Sequence, residues 1–423
     1  MALKILKEID FSPSQEEIKE IKKDLSVLLG AIKKEIKKQR LDADVFVGGS
    51  FAKGTIVRKD RYDVDVFVRF TWKYEDISAK LEKIAKSVSN SLGFEFKLIH
   101  GSRDYFSLGR RNVEFELIPV TRIKKPKEMR NVTDLSYFHV NYVKKKVNSK
   151  MAREIVLAKK FCESAGVYGA ESYINGFSGY GLECLIIYYK SLEKMLRALE
   201  KVKDRIVIDP EKRFKKKDDV FFEINEAKLH SPIILVDPTW KERNTLAALS
   251  KESFKEFQEC ARKFLAKPNE KYFEIKQINE YKIRETAKKN KAEFLHIKLM
   301  TDRQKGDIAG TKLKKFYEFL NKEIEKYFEI EIREFDYKGE QEADVYLVLK
   351  SKKEIIKIGP EISSASKWID NFKKVNSNIF TKNGRLYSKI KIDFTGKDFV
   401  EKWSREKQST AFEMGIIKIK IID

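Results

Sequence analysis

Two aspartates stand one residue apart in the apolar stretch YDVDVFVRF, shortly after the small-residue segment GGSFAKG. Residues i and i+2 of a β-strand project to the same side, so Asp63 and Asp65 share one face while valines occupy the other. Two carboxylates held this close stay ionised only if a cation lies between them. A Mg²⁺ pair that bridges phosphate oxygens is the usual chemical reason for such a site. The spacing therefore indicates metal-dependent phosphate chemistry.

A third acid and a phosphate-binding turn are also present. Glu114 and Glu116 alternate in a second apolar stretch, NVEFELIP, and so share a face by the same rule. Gly49 lets the backbone approach a ligand closely, and Ser50 offers a hydroxyl and an N–H to phosphate. These features together predict a two-metal site completed by a carboxylate from the neighbouring strand. The alternative is that both acid pairs are exposed, solvated strand faces.

Bulk composition narrows the class of protein. The chain has 423 residues, and 88 Lys and Arg against 65 Asp and Glu give a formal charge of +23. That excess favours a polyanionic partner such as nucleic acid, although a generally lysine-rich proteome is an alternative. Scattered cysteines and histidines argue against a disulfide framework or a zinc site. No apolar run approaches membrane-spanning length and the N-terminus turns charged too soon for a signal peptide, so we expect a cytoplasmic protein that contacts no membrane.

The order of predicted elements indicates a multidomain α+β fold. Strands and helices alternate in residues 1–132, which predicts an α/β domain with a mixed sheet. Residues 133–266 are mainly helical, and residues 267–423 have a βαββαβ order compatible with a ferredoxin-like sheet, an architecture common among RNA-binding modules.

Local signals predict individual elements. Ser12 is predicted to cap a helix with Pro13 at its first position and Gln15 in a capping box. Asn383-Gly384 predicts a hairpin turn between strands 378–381 and 385–394. Other helices are predicted at 76–92, 150–164, 178–199, 250–266, 312–328 and 364–376, and strands at 44–47, 63–70, 94–99, 112–120, 233–236, 294–300 and 343–349.

The motifs resemble those of a known family. Gly49-Ser50, twelve intervening residues and then Asp63-Val-Asp65-Val resemble the signature of the DNA polymerase β-like nucleotidyltransferases. More narrowly, the chain resembles the archaeal-type (class I) CCA-adding enzymes from its first helix to about residue 400, and more loosely towards the C-terminus. The segments that carry this narrower resemblance are FVGGSFAKGT (46–55), GVYGAE (166–171), GFSGY (176–180) and VDP…RN (236–244).

The resemblance implies an activity and roles for the acids. Members add C, C and A to the 3′ end of tRNA from CTP and ATP, with no nucleic-acid template. Asp63 and Asp65 would hold Mg²⁺, and Glu116 would be the third carboxylate, at a position where the family usually has aspartate. The longer side chain of Glu116 requires a shifted strand or lowers the reaction rate. A third option is that Glu114 serves as the third carboxylate instead.

The resemblance also implies how nucleotide and tRNA are bound. It places the triphosphate against Gly49, Ser50 and a basic residue at Lys53, and implies further triphosphate contacts. Arg243, on a loop after a strand that ends at Asp237-Pro238, would select the base. The expected partners are the 3′ end and the acceptor and TΨC stem of tRNA, with a homodimer as one assembly hypothesis. The further triphosphate contacts are His139, Lys159 and Tyr168.

Each of these residues has a simpler interpretation, and two other functions stay open. A single lysine is by default a solvated surface residue, His139 and Tyr168 could serve packing, and Arg243 could be a loop cation beside an Asn244 helix cap. A poly(A) or oligoadenylate polymerase would share the Gly-Ser and Asp-x-Asp elements. A non-catalytic RNA-binding relative would explain Glu116.

Overall fold

The computed structural model describes residues 4–422 and divides into two compact units. The first comprises the chain up to Ala170 together with Ile174–Ile275, and the second comprises Glu171–Tyr173 and the chain from Lys276 onward. The predicted domain boundary at 132/133 lies within the first unit and stays a prediction. No helix within residues 4–422 combines the length and the apolar character needed to cross a membrane.

The N-terminal part of the first unit is a mixed five-stranded sheet with two long helices on one face. Its strand order is β1-β2-β5-β4-β3, and the pair formed by the second and fifth strands is parallel, whereas the other pairs are antiparallel. Apolar residues of the two long helices and of the sheet form one core. The elements are α1 (Ile5–Glu8), α2 (Gln15–Lys38), β1 (Ala43–Val47), α3 (Gly49–Lys53), β2 (Tyr62–Phe70), α4 (Ile77–Leu92), β3 (Glu95–Ile99), β4 (Tyr105–Arg110) and β5 (Val113–Thr121).

Helix α2 shows how the local sequence sets an element. Its isoleucines and leucines recur at helical spacing and are buried against the sheet. The predicted start was wrong by two residues. Ser14, not Ser12, is the N-cap, because its hydroxyl accepts from the Glu17 N–H while the Glu17 carboxylate accepts from the Ser14 N–H.

The rest of the first unit is mainly helical, as predicted. The predicted helix over 178–199 is two helices, because Lys190 has a left-handed backbone (φ 71°) that ends the first and Ser191 caps the second. A three-stranded sheet of order β6-β7-β8 completes this part. The elements are α5 (Ser136–Lys146), α6 (Ser149–Ser164), α7 (Gly179–Tyr189), α8 (Leu192–Leu199), β6 (Ile206–Ile208), α9 (Val220–Glu223), β7 (Ile233–Asp237), β8 (Trp240–Asn244) and α10 (Lys251–Ala266).

The second unit contains the expected ferredoxin-like sheet. Its four antiparallel strands have the order β10-β11-β9-β15, and a separate sheet of order β12-β14-β13 is inserted after the third strand of the motif. The elements are α11 (Glu280–Asn290), β9 (Glu293–Met300), α12 (Asp307–Ile324), β10 (Phe328–Tyr337), β11 (Glu342–Ser351), β12 (Glu354–Glu361), α13 (Ser366–Val375), β13 (Ile379–Lys382), β14 (Arg385–Lys391), α14 (Gly396–Glu406), α15 (Gln408–Glu413) and β15 (Lys418–Ile422).

Two details of the predicted motif were wrong. The helix predicted at 364–376 and the hairpin after it belong to the inserted sheet, while α14 and β15 supply the second helix and last strand of the ferredoxin-like motif. The hairpin turn itself is confirmed, since Asn383 and Gly384 have φ of 52° and 72°.

Candidate active site

The predicted acids lie side by side on two parallel strands. Strands β2 and β5 run in step, with Asp63 opposite Glu114 and Asp65 opposite Glu116. Val64 and Val66 point the other way and are fully buried in the core under α2 and α4. Because cross-strand neighbours share a face, all four carboxylates occupy the face of the sheet away from this core. The strands do not slip at Glu116, so its extra methylene is not absorbed by a change of register.

The outer acid of each strand is paired, whereas the inner acid is not. Lys59 Nζ lies 3.3 Å from Asp63 Oδ2, and Glu114 Oε1 contacts Arg61 Nη2 at 2.7 Å and Lys97 Nζ at 3.4 Å. Within residues 4–422, no ion pair is formed by the inner acids, Asp65 and Glu116.

This arrangement concentrates negative charge where little solvent reaches it. Burial raises the pKa of Asp65, and the charge of Asp63 adds to this while Lys53 opposes it. Burial and the neighbouring carboxylates, Asp65 first, raise the pKa of Glu116 to about 8. A cation bound beside these groups would oppose both effects and favour the ionised carboxylates.

The Gly-Ser turn is built onto Asp65. Gly49 has a left-handed backbone (φ +58°), and a Cβ at this position would lie 1.7 Å from Asp65 Oδ2. The Gly48 N–H donates to the backbone carbonyl of Asp65 over 2.9 Å. Ser50 follows in α3 and is half-buried. Only glycine at position 49 leaves room for the carboxylate, so the turn and the acid form one local unit.

The acids fit a hard divalent cation by their chemistry, although they do not form a closed cage. In the described range 4–422, no group of three or more His, Cys, Asp or Glu side chains is arranged so as to hold a metal ion. Mg²⁺ is commonly held by one or two carboxylates together with substrate phosphates and water. The hydroxyl of Ser107, which lies opposite Glu116 on β4, is buried with no hydrogen-bond partner among residues 4–422. The donor set of Asp63 and Asp65 therefore suits such a shared site.

Two of the predicted triphosphate contacts, Lys53 and Lys159, meet at a buried carboxylate. We call these lysines, Thr55 and Glu183 the lysine cluster. Glu183, on α7, is fully buried and accepts from Lys53 Nζ at 2.6 Å and from Thr55 Oγ1 at 2.7 Å. Lys159 Nζ, on α6, lies 3.2 Å from the same carboxylate and also donates to the Thr55 carbonyl and hydroxyl. Burial alone would raise the pKa of Glu183, but the two ammonium groups outweigh it and hold that pKa at about 2.

A second cluster surrounds Asp237 at the end of β7. His139 Nε2 lies 3.0 Å and Arg243 Nη1 lies 2.8 Å from Asp237 Oδ2. The Tyr180 ring stacks on His139 with centroids 4.0 Å apart, and Tyr180 Oη donates to Asp237 Oδ1. Burial lowers the pKa of His139 against the opposing effect of Asp237, while His139 and Arg243 overcome burial and lower the pKa of Asp237. Tyr180 also faces the Lys53 ammonium at 6.0 Å, so the two clusters are neighbours.

Tyr168 follows α6 in the chain, and its hydroxyl lies beside Gly179 at the start of α7, near the lysine cluster. A Cβ built on Gly179 would lie 3.1 Å from Tyr168 Oη and 4.0 Å from Lys159 Cε. Tyr168 also pairs with Phe177 in an isolated bridge. The structure thus brings Tyr168, Lys159, Lys53 and His139 into one region of the first unit.

One predicted position was wrong in its local structure. Arg243 lies on strand β8 and not on a loop, and the Asn244 side chain does not cap a helix. Instead, Asn244 Oδ1 accepts from the Leu235 and Leu246 N–H groups. This fixes the strand that carries Arg243.

Sequence reasoning missed Glu183 and did not assign a role to Asp237. A signal for Glu183 was present, because it directly precedes the apolar run CLIIYY in a helix with no other charged residue. A carboxylate in a fully apolar helix must find a partner or lose its charge.

Comparisons with known proteins agree with this geometry. Residues 29–130 match the nucleotidyltransferase domain model, and residues 153–274 match the model of the tRNA nucleotidyltransferase second domain. The chain is 32% identical over 416 residues to the CCA-adding enzyme of Nanoarchaeum equitans, covering 95% of this chain and 96% of that protein. It is 30% identical to the CCA-adding enzyme of Saccharolobus shibatae, covering 91% and 86%.

Among solved structures, the chain is similar to the Cid1 poly(U) polymerase with Mg 3′-dATP bound, with 14% identity and a TM-score of 0.49, covering 64% of this chain and 96% of that one. The two CCA-adding relatives are matched over nearly their whole length at 30% identity or more, and both family models match the first unit. The chain therefore belongs to the CCA-adding enzyme family of tRNA nucleotidyltransferases.

Proposed function

We propose that this chain adds C, C and A in turn to the 3′ end of tRNA, using CTP and ATP and no nucleic-acid template. The observation that carries the proposal is membership of the family, shown by a relative that aligns with 95% of the chain. In each addition the tRNA 3′-hydroxyl oxygen attacks the α-phosphorus of the nucleotide, a new P–O bond forms and pyrophosphate leaves.

We call the sheet face that carries Asp63, Asp65, Glu114 and Glu116 the acid face. We assign it to the metal ion and the reacting groups of tRNA and nucleotide. Asp63 and Asp65 would hold Mg²⁺, with Glu116 as the third carboxylate. Bound there, the cation would neutralise phosphate charge and polarise the α-phosphoryl group. We assign acceptance of the 3′-hydroxyl proton to the carboxylates of this face. Glu116 lies directly opposite Asp65 on the neighbouring strand. Gly49 and Ser50 would bring the backbone of the turn against the phosphates.

The two neighbouring clusters are assigned to the nucleotide. Lys53, Lys159, His139 and Tyr168 would contact the triphosphate, whose negative charge suits two ammonium groups. Arg243 would read the base edge, because a guanidinium presents several N–H donors in a fixed fork. The contact with Asp237 supports this role, since it holds the fork in one orientation before a base arrives.

The second unit is assigned to the tRNA. A four-stranded ferredoxin-like sheet is a common RNA-binding architecture, and the chain carries a net charge of +23. We propose that this unit holds the acceptor and TΨC stem, that the protein acts in the cytoplasm, and that a homodimer is the assembly to test first.

Extension of a tRNA that lacks its 3′ CCA tests the proposal. With Mg²⁺, we expect two added nucleotides from CTP alone and three from CTP with ATP. A long tail from ATP alone would instead identify a poly(A) polymerase. Binding of tRNA without any extension would identify a non-catalytic RNA-binding relative, and Glu116→Asp would then be the variant to examine.

A further inference from the structure

The buried Glu183 carboxylate has no role in the proposed chemistry. Three groups donate to this carboxylate of α7: Lys53 and Thr55 around the end of α3, and Lys159 from α6. Both of its oxygens are engaged by these donors and the residue is 0% exposed. A carboxylate would repel a triphosphate, so any effect of Glu183 on nucleotide binding must act through the lysines.

We propose that Glu183 is a positioning residue for the triphosphate, which holds the ammonium groups of Lys53 and Lys159 side by side and charged before the nucleotide binds. The inference rests on the proposed function, in which these two lysines contact the triphosphate. It adds the residue that sets their position and their charge.

The charge balance of the cluster supports this role. Two ammonium groups share one carboxylate, so the cluster keeps a net positive charge that a triphosphate can use. Lys53 is 10% and Lys159 is 4% exposed at the side chain. Removal of Glu183 would leave two like charges together in a poorly solvated place, and one of them would lose its proton.

The charge of Lys159 depends on Glu183. Burial lowers the pKa of Lys159, and Lys53 and Lys59 add to this, whereas Glu183 opposes it. Asp65 also faces Lys159 electrostatically. The Thr55 carbonyl and hydroxyl accept from the Lys159 ammonium but carry no charge. Glu183 is thus the carboxylate in direct contact that keeps Lys159 protonated.

Structural support alone would not require this arrangement. A buried ion pair contributes little net stability, because desolvation offsets the Coulomb attraction, and apolar side chains of similar volume serve as well. A cluster of two lysines on one acid is more costly still. Its use is explained if the lysines must be held ready for a polyanion.

Nucleotide kinetics of Glu183→Gln test the proposal, with Glu163→Gln as the matched control. Glu163 pairs with Lys160 on α6, one turn from Lys159, and lies outside the cluster. We expect Glu183→Gln to raise KM about tenfold for CTP and ATP alike, because the triphosphate is common to both, and to leave KM for tRNA unchanged. We also expect the rise to grow as the pH is raised, because burial lowers the pKa of Lys159 and Glu183 no longer opposes this. Glu163→Gln should behave as the wild type.

A second variant keeps the test decisive if the glutamine protein does not fold. Glu183→Asp retains the charge but is too short to reach both lysines, so we expect about a threefold rise in KM for both nucleotides. An unchanged nucleotide KM in every folded Glu183 variant, even with lowered kcat or thermal stability, would overturn the proposal.

Lysine variants separate this inference from the proposed function. If Lys53→Ala and Lys159→Ala both leave CTP binding unchanged, the triphosphate assignment fails, and the role of Glu183 fails with it. If they weaken CTP binding while Glu183→Gln does not, only the positioning role is overturned.

Discussion

On the face of β2 and β5, Asp65 and Glu116 lie together without an ion pair to any residue of 4–422, whereas Lys53 and Lys159 share the buried carboxylate of Glu183. On this acid face, burial and the neighbouring carboxylates raise the pKa values of Asp65 and Glu116. In the lysine cluster the opposite holds for the acid, since the pKa of Glu183 is lowered to about 2. The acid face and the lysine cluster belong to the same compact unit.

The difference shows which site is preorganised and which is completed by a ligand. The lysine cluster has its position set by contacts within the chain, so a triphosphate bound as we propose would meet charges that are already in place. The acid face, on our proposal, would be completed only by a bound cation. On this account, nucleotide and metal bind as one complex, with the lysines holding the phosphates and the acids holding the cation.

The largest expected effect comes from Asp65. Asp65→Asn removes one charge from the acid face without changing its shape, and we expect nucleotide incorporation to fall about a thousandfold or more with tRNA binding retained. Single-turnover extension and tRNA binding assays measure the two properties. The matched control is Glu114→Gln, since Glu114 is already paired with Arg61 and Lys97. A control as inactive as Asp65→Asn would show that Glu114 has taken over the role of Glu116.

The second-largest effect is on acid unfolding, which distinguishes the lysine cluster from the acid face. The pKa of Glu183 in the folded protein is below its ordinary value of 4.5, so the stability it contributes is fully present above about pH 4.5 and is lost as the pH falls towards about 2. We expect the difference in free energy of unfolding between the wild type and Glu183→Gln to shrink by about 3 kcal/mol over that range. Urea unfolding at several pH values measures this. A difference that stays constant with pH would show that Glu183 is not ionised in the folded protein.

Gly49 tests the contact between the turn and the acid face. Gly49→Ala places a methyl group against Asp65 Oδ2 and strains a left-handed backbone, and we expect activity to fall about a hundredfold. Gly54→Ala is the control, because Gly54 has a similar φ (+66°) but nothing within 4 Å of its Cβ position. Equal losses in the two variants would attribute the effect to backbone strain and not to displacement of Asp65.

The smallest expected effect concerns the choice of base. Asp237→Asn weakens the hold on Arg243 while the lysine cluster stays intact, so we expect discrimination between CTP and ATP to fall about tenfold with little change in overall rate. Competition between the two nucleotides measures it. Glu242 is an exposed acid on the same strand as Arg243, and Glu242→Gln should leave discrimination unchanged. A uniform loss for both nucleotides in Asp237→Asn would argue against base reading by Arg243.

Elements with a strong local pattern could be predicted from the sequence. The apolar face of α2, the alternation in β2 and the Asn383-Gly384 hairpin all carry their structure in nearby residues, and each formed as expected. The position of the two aspartates on one strand face followed from the same alternation.

Elements decided by tertiary contacts could not be predicted in this way. Strand β4 is buried on both sides and includes Ser107 and Gly109, so it shows no alternation. Helix α5 is rich in aromatic and β-branched residues, which are weak helix formers. The ferredoxin-like order was correct, but the inserted sheet offered a nearer helix and hairpin that fitted the same pattern.

The site could be predicted where its residues lie in short sequence motifs. The acids and lysines could be placed from their motifs, whereas the link through Glu183 joins Lys53 and Lys159 across 130 and 24 residues. No local pattern encodes such a contact. The charged residue in an apolar helix shows only that a partner must exist.

Binding of CTP with and without Mg²⁺, in the wild type and in Asp65→Asn, tests the central claim most directly. The account predicts that Mg²⁺ tightens CTP binding at least about tenfold in the wild type and has little effect in Asp65→Asn, where the residual affinity comes from the lysine cluster. Equal tightening in both proteins would contradict it, because the cation would then bind without the acid face.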